Sequence, residues 1–140
     1  MNPLFRIFQR YFIPKFIASA FYLIRDKAFI SLQAKVQLSS RIRFGKGTVV
    51  KSFAVMQVGS GSIIVGKNCA ISAFDHISTA NAKVIIGDNV RIASNVVILG
   101  SRRNFIEKRK LIVEQGYSHN ETKIGNDVLI GAGAIILDGS

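Results

Sequence analysis

The chain has 140 residues, of which 49% are hydrophobic, and 19 Lys and Arg stand against 8 Asp and Glu to give a formal net charge of +11. This length predicts a single domain, and the hydrophobic fraction excludes a disordered chain. The one cysteine, Cys69, excludes an internal disulfide and fits a reducing compartment. We expect Cys69 to be a small core filler rather than a nucleophile.

Residues 1–29 predict an amphipathic helical segment that differs in pattern from the rest of the chain. Apolar side chains in the first dozen residues recur at helical spacing on one face, whereas basic ones fall elsewhere. Pro14 should end or kink this helix, because its ring clashes with the carbonyl four residues earlier. The apolar face holds Leu4, Phe5, Phe8, Tyr11 and Phe12, and the other positions hold Arg6, Gln9 and Arg10.

Two interpretations of this segment stay open. A second apolar run at 16–24 is too short to cross a hydrocarbon core of about 30 Å as a helix, and Pro14 and Lys15 interrupt the joined stretch. We favour a basic, aromatic segment, residues 1–27, that lies on an anionic membrane surface. The alternative is a helical cap over the open end of the following domain. The two interpretations are compatible if one face of the segment binds the membrane and another packs on the domain.

One four-residue phrase recurs in the rest of the chain, at 44–47, 65–68, 86–89 and 124–127. Each phrase starts with a large apolar residue and Gly, and aliphatic residues follow the start six and twelve positions on. A period of six is neither helical nor that of a simple strand, and it is the hexapeptide pattern of a parallel β-helix. The later positions hold Val50 and Met56, Ile71 and Ile77, Ile92 and Ile98, and Ile130 and Ile136.

The spacing of the phrases predicts the outline of this domain. Three hexads make a triangular coil of about eighteen residues, and the phrases start at 44, 65, 86 and 124. We therefore predict about four coils in residues 30–140, two with small corner insertions and one with a long loop at about 101–122. Gly, Asn and Asp in the phrases turn the corners at low cost. An ordinary Val/Ile-rich sheet with Gly turns is the alternative.

Positive charge is concentrated in the N-terminal segment, in residues 35–51 and in the predicted loop, where five basic residues accompany Glu107. Such a field attracts polyanions. The sequence has no zinc-finger spacing and no RNP-type aromatic pattern, so we expect no nucleic-acid partner. We favour a pyrophosphate-bearing small molecule or an anionic lipid head group. The five residues are Arg102, Arg103, Lys108, Arg109 and Lys110.

Residues 40–140 resemble the hexapeptide-repeat acyltransferases, and within them the O-acetyltransferases of capsule, colanic-acid and O-antigen synthesis. The likeness rests on four stretches, 86–92, 97–99, 114–116 and 124–137. It implies a left-handed parallel β-helix, a homotrimer with active sites between neighbouring prisms, acetyl-CoA as acyl donor and a glycan hydroxyl as acceptor. We expect a cytoplasmic protein, in contact with the inner face of the plasma membrane if residues 1–27 bind lipid.

The chemistry that the resemblance implies is removal of the hydroxyl proton by a neutral imidazole as the oxygen attacks the thioester carbonyl. The family places this His at the start of the long loop, but Arg103 stands there, and arginine is no base at neutral pH. We favour His119 as the substitute, before His76; for each, the alternative is a surface histidine. Asp75 could orient His76 only in a corner, because adjacent strand side chains point to opposite faces.

For acetyl-CoA, the resemblance implies binding residues in the loop and in the last repeat, which are Arg102, Lys108, Arg109, Gly131 and Ala132. The chain stops as a coil is completed, at 137–140, whereas family members continue with further coils. We therefore expect a shortened or fragmentary version, in which donor binding stays open.

The sequence is compatible with three functions. The first is an O-acetyltransferase of bacterial surface-polysaccharide synthesis. The second is an inactive or truncated relative that serves as a scaffold, which Arg103 and the early stop favour. The third is a metal hydratase on the same kind of prism; zinc there needs three His ligands and the chain has two His, so we expect no metal site unless a trimer shares its histidines.

Overall fold

Two helices form the N-terminal segment of the computed structural model, which describes residues 2–140. Helix α1 (Pro3–Phe12) follows Asn2, whose side chain accepts the Leu4 N–H at 3.0 Å, and it has proline at its first position. As predicted, the helix ends before Pro14, which stands at the start of helix α2 (Lys15–Asp26). The side chains of Arg6, Gln9, Arg10 and Tyr11, on which part of the predicted faces rests, lie outside the described residues.

The rest of the described chain is built from short strands, which lie in layers of three and are joined by turns and one long loop. The first layer holds β1 (Phe29–Ile30), β2 (Lys35–Val36) and β3 (Ile42–Phe44), the second β4 (Val49–Val50), β5 (Val55–Val58) and β6 (Ser62–Val65), and the third β7 (Ala70–Ile71), β8 (His76–Thr79) and β9 (Lys83–Ile86). The fourth holds β10 (Arg91–Ile92), β11 (Val97–Leu99), the loop strands β12 (Arg102–Arg103) and β13 (Tyr117–Ser118), and β14 (Thr122–Ile124), followed by β15 (Leu129–Ile130) and β16 (Ile135–Ile136).

Equivalent strands of successive layers pair in parallel and form three sheets around one column. The first sheet has the order β1-β4-β7-β10-β15, the second β2-β5-β8-β11-β16 and the third β3-β6-β9-β14. In the third sheet Phe44, Val65, Ile86 and Ile124 are successive register partners, so three full turns separate the first from the last. The predicted parallel β-solenoid is confirmed, and the alternative of an ordinary sheet is wrong.

The predicted aliphatic positions line the inside of this prism. Along the first sheet Val50, Ile71, Ile92 and Ile130 are buried, and along the second Met56, Ile77 and Ile98 are fully buried while Ile136 is partly covered. Full burial of such a side chain contributes about 1.5–3 kcal/mol. Cys69 lies in the same column with its Sγ 3.0 Å from the Gly87 carbonyl, which confirms its expected role as a core filler.

The recurring phrase forms the corner between the third and the first sheet. Its fourth residue has left-handed backbone, with φ of 79° at Gly47, 52° at Asn68, 60° at Asn89 and 53° at Asp127. Gly and Asn accept this conformation most readily, and Asp follows. Side chains also join the layers there, since the Asp88 carboxylate accepts the Lys67 N–H at 2.7 Å.

The corner between the first and the second sheet contains two phenylalanines in the left-handed region, where the sequence predicts Gly, Asn or Asp. Phe53 has φ of 65° and Phe74 φ of 63°, whereas Asn95 and Gly133 hold this place in the later layers. The two exposed rings stack with centroids 5.3 Å apart. A bulky residue with positive φ is an outlier that costs about 1–2 kcal/mol.

Helix α2 covers the open end of the first layer. Tyr22 is fully buried; its ring meets the Phe44 ring edge-on at 5.1 Å and its hydroxyl donates to the Gln37 carbonyl at 2.6 Å. Burial raises the pKa of this phenol to about 12. Asp26 accepts the Phe44 N–H at 3.0 Å and pairs with Arg25. The cap interpretation therefore holds for α2, while every described side chain of α1 is exposed.

Candidate functional site

A long loop, residues 100–121, leaves the prism between the second and the third sheet. Its strands β12 and β13 form an antiparallel hairpin in which Arg103 faces Tyr117 and Arg102 faces Ser118. Asn104 continues the pairing, with its N–H on the Gly116 carbonyl at 3.1 Å. The loop is therefore folded against itself, and its two ends meet at one corner of the fourth layer.

Gln115 closes the outer part of the long loop. Its amide oxygen accepts the Glu107 N–H at 2.9 Å, and its amide nitrogen donates to the carbonyls of Glu107 and Lys110 at 2.9 and 3.0 Å. A single 3₁₀ turn, Ile112–Glu114, precedes it. One side chain thus satisfies three backbone groups that the irregular chain would otherwise leave to water.

Asp138 ties the base of the long loop to the last layer. This buried carboxylate accepts the Ser118 hydroxyl at 2.8 Å and the Asn120 amide at 3.1 Å, and Arg102 Nε lies 3.1 Å from its other oxygen. Burial alone would raise the pKa of Asp138, but the two hydrogen bonds and the Arg102 charge outweigh it and hold the pKa below its usual range. Arg102 therefore has a partner within the fold.

The hairpin brings His119 onto the edge of the prism. Its Nε2 lies 3.2 Å from the amide nitrogen of Asn81, which occupies the same corner one layer earlier. Because an amide nitrogen only donates, Nε2 is the accepting nitrogen in this contact. The Asn81 oxygen is held in turn by the Ser60 hydroxyl at 2.5 Å. The exposed His119 is thus oriented by a side chain from a rigid layer.

Arg103 and His119 share one aromatic ring. The Arg103 guanidinium lies 4.5 Å from the centre of the Tyr117 ring, and the His119 imidazole stacks on that ring at 6.0 Å. The residue at the family's usual His position and the favoured substitute are therefore neighbours of the same side chain. The cation over the ring adds positive charge beside the imidazole without contacting it directly.

His76 lies on another part of the surface. It starts β8 on the outer face of the second sheet, whereas Asn81, the contact of His119, lies beyond the end of that strand. Asp75 points inward and accepts the backbone N–H groups of Ser72 at 2.7 Å and Val96 at 2.9 Å. Burial raises the pKa of Asp75 to about 6, although these two hydrogen bonds act to lower it. Both carboxylate oxygens of Asp75 accept backbone hydrogen bonds at this corner, and neither orients His76.

The residues expected to hold acetyl-CoA do not form one cluster within this chain. Arg102 is bound to Asp138, and Lys108 and Arg109 are exposed on the outer loop. Gly131 and Ala132 lie between β15 and β16, at the corner of the first and second sheets, whereas the loop leaves at the next corner. A donor that touched both groups would have to span two corners or bridge neighbouring chains.

Three residues of the site were missed by the sequence analysis. Asn81 holds His119, Tyr117 joins Arg103 to His119, and Asp138 anchors the hairpin. Asn81 could have been found, because it lies 21 residues after Ser60 in the same corner of the repeat. The contacts of Tyr117 and Asp138 depend on how the loop folds back, and spacing carries no signal for that.

Comparison of the chain with protein families, with curated proteins and with solved structures gave no match. Fold and site geometry alone therefore define it as a parallel β-solenoid with a structured loop. Within residues 2–140 no three His, Cys, Asp or Glu side chains come together as metal ligands would. Over the same range the helices are all too short or too polar to cross a membrane.

Proposed function

We propose that this chain is an acetyl-CoA-dependent O-acetyltransferase of the hexapeptide-repeat class, acting on a sugar hydroxyl in surface-polysaccharide synthesis at the cytoplasmic face of the membrane. The observation that carries the proposal is the hairpin of the long loop, which presents an exposed imidazole in contact with Asn81 at a corner of a hexad-spaced prism. We also propose that the prism is left-handed.

His119 is the general base of this proposal. Its neutral form has a nitrogen lone pair for the hydroxyl proton, and Asn81 and Tyr117 restrict the ring to one orientation. In the reaction the sugar oxygen bonds to the thioester carbonyl carbon, the carbon–sulfur bond breaks and the thiol leaves. The proton from the hydroxyl passes to the imidazole and on to the thiolate.

The active species of this proposal is a homotrimer. The outer loop exposes several large apolar side chains, and burial of such side chains against a partner is favourable. A neighbouring prism would also bring a second set of corners to the loop, which the dispersed donor residues of a single chain require. The exposed apolar residues are Phe105, Ile106, Leu111, Ile112 and Val113.

The test measures release of free thiol from acetyl-CoA with candidate glycans. We expect His119→Ala to lower the rate about 10²- to 10⁴-fold, the usual contribution of a general base. His76→Ala is the matched control and should retain the wild-type rate, because His76 lies at the other end of β8. Loss of activity in His76→Ala with an active His119→Ala would contradict the assignment of the base.

A scaffold without catalysis is the second candidate function. The observation that favours it is the arrangement of the arginines, since Arg103 occupies the usual His position on Tyr117 and Arg102 is bound to Asp138. Both contacts stabilise the loop without requiring chemistry. Absence of turnover together with absence of acetyl-CoA binding by the wild-type trimer would support this function and contradict the transferase.

A further inference from the structure

A groove of about 740 Å³ lies under the elbow between α1 and α2. One wall consists of the elbow itself, with Phe12, Ile13 and Ala18. The other wall is the outer face of the second sheet, where Gln57 and Ser78 are register partners on neighbouring strands. Helix α1 continues from the groove with its apolar side chains in solvent, so the groove and the helix form one surface.

The groove combines an apolar wall with two polar side chains and positive charge. In the described part of the chain neither the Gln57 amide nor the Ser78 hydroxyl makes a side-chain hydrogen bond, and both line the groove. Lys15 and Lys35 also line it, and its described lining contains no Asp or Glu. Donors and cations beside apolar surface suit a phosphate that carries hydrocarbon chains.

Helix α1 supplies the surface that such a ligand would share with a bilayer. The exposed fractions are 70% for Leu4, 48% for Phe5, 53% for Ile7, 54% for Phe8 and 67% for Phe12. Phe8 and Phe12 stack on each other at 5.3 Å instead of on the prism. A short amphipathic helix with aromatic residues on one side and arginines in its sequence fits the interface of an anionic membrane.

We propose that the elbow is a docking site for an anionic phospholipid surface, in which α1 lies in the membrane interface and the groove takes one phosphate head group. The occupant is a lipid because the apolar wall, the exposed helix and the cations are continuous. The proposal concerns lipid binding alone and stands whether or not the chain transfers acetyl groups.

The test is co-sedimentation of the full chain with vesicles of phosphatidylcholine alone or mixed with phosphatidylglycerol. We expect binding to the anionic vesicles that weakens as salt is raised, because surface charges are screened. Equal binding to both kinds of vesicle, or no binding to either, would overturn the proposal. Self-association through the elbow in place of vesicle binding would overturn it as well, and would make this face a contact between copies.

Two pairs of variants separate the helix from the groove. Phe8→Ser should weaken binding about tenfold or more, the factor expected for one aromatic side chain withheld from apolar surroundings. Leu129→Ser is the control, since Leu129 is 78% exposed on β15, away from the elbow, and should leave binding unchanged. Equal losses in the two variants would show non-specific adhesion and overturn the proposal.

The second pair changes one charge without changing shape. Gln57→Glu places a carboxylate in the groove and should weaken binding to anionic vesicles about fivefold, the effect of one charge near such a surface. Asn95→Asp makes the same change at an exposed corner of the prism, where left-handed backbone tolerates either residue. If Asn95→Asp weakened vesicle binding as much as Gln57→Glu, net charge alone would explain the loss. The assignment of the head group to the groove would then be wrong.

Discussion

The glycine of the repeated phrase is required because successive layers almost touch at that corner. A Cβ built on Gly66 would lie 2.5 Å from the Gly87 carbonyl oxygen, and one on Gly87 would lie 2.7 Å from the Gly125 carbonyl. Both contacts involve backbone, which cannot rotate away as a flexible side chain can. Close approach of two layers, rather than backbone freedom, explains this glycine.

Gly66→Ala should therefore destabilise the fold by about 1–3 kcal/mol, the usual cost of an overpacked interior position. The measurement is the free energy of unfolding in urea. Gly125→Ala is the matched control at the same place in the phrase, because a Cβ there meets no described atom within 4 Å. Equal destabilisation by the two substitutions would contradict the account.

Single residues were predictable from the sequence where one layer repeats the next. Ile71, Ile77 and Ile98 occupy the inside of the prism as the six-residue spacing predicts. Phe53 and Phe74 were not predictable, because a bulky residue in left-handed backbone contradicts the local preference on which corner prediction rests. Their stacking contributes about 0.5–1.5 kcal/mol, which offsets part of the roughly 2–4 kcal/mol that the two left-handed residues cost together.

At the scale of elements, the long loop depends on one carboxylate. Asp138→Asn keeps the shape but removes the charge, and in either orientation the new amide nitrogen faces a donor, which is the Arg102 guanidinium or the Asn120 amide. We expect amide hydrogens of β12 and β13 to exchange about tenfold faster or more, since a hydrogen bond to a charged group contributes about 1.5–3 kcal/mol. Hydrogen exchange followed by mass spectrometry measures this.

The lowered pKa of Asp138 gives the same experiment a pH dependence. A carboxyl whose pKa falls when the loop closes stabilises the closed loop above its ordinary pKa of about 3.9, and this stabilisation is lost as the pH falls through the lowered value. Acid should open the wild-type hairpin and have little further effect on Asp138→Asn. Asp127→Asn at a distant corner is the control, and a similar loosening there would contradict the role of Asp138.

The two helices show what periodicity reveals about an element and what it leaves out. Helical spacing and Pro14 predicted that α1 and α2 exist and where the first one ends. Helical spacing does not show which surface an apolar face contacts. The sequence therefore left both the cap and the membrane contact open. The packing of Tyr22 against Phe44 assigns the cap to α2, and the exposure of α1 leaves the membrane contact as a proposal.

At the scale of the whole molecule, protection should vary from layer to layer. Strands β7 and β8 have a paired neighbour on each side, whereas β15 and β16 end their sheets in the described chain. Their inward residues differ accordingly, with Ile71 and Ile77 fully buried and Ile130 at 7% exposure. Repeat folds gain stability from nearest neighbours, so the outer layers open first.

We expect amides of β15 and β16 to exchange about 100-fold faster than those of β7 and β8 in native-state hydrogen exchange. The first layer is the internal control, since α2 covers it and should keep β1 closer to the interior rate. Uniform protection in every layer would contradict this prediction and mean that the solenoid opens as one unit.

The stacking of whole layers also sets a length scale within the molecule. Strands in a sheet are separated by about 4.8 Å, so the three steps from the helix-covered first layer to the fourth, where the loop departs, measure roughly 14 Å along the axis. Removing or duplicating one 21-residue unit, such as the span between Val65 and Ile86, would shift the imidazole of His119 by one step. The number of layers therefore sets the distance between the helical end of the prism and the imidazole, which under the proposed function is the distance that a membrane-bound acceptor would have to cover.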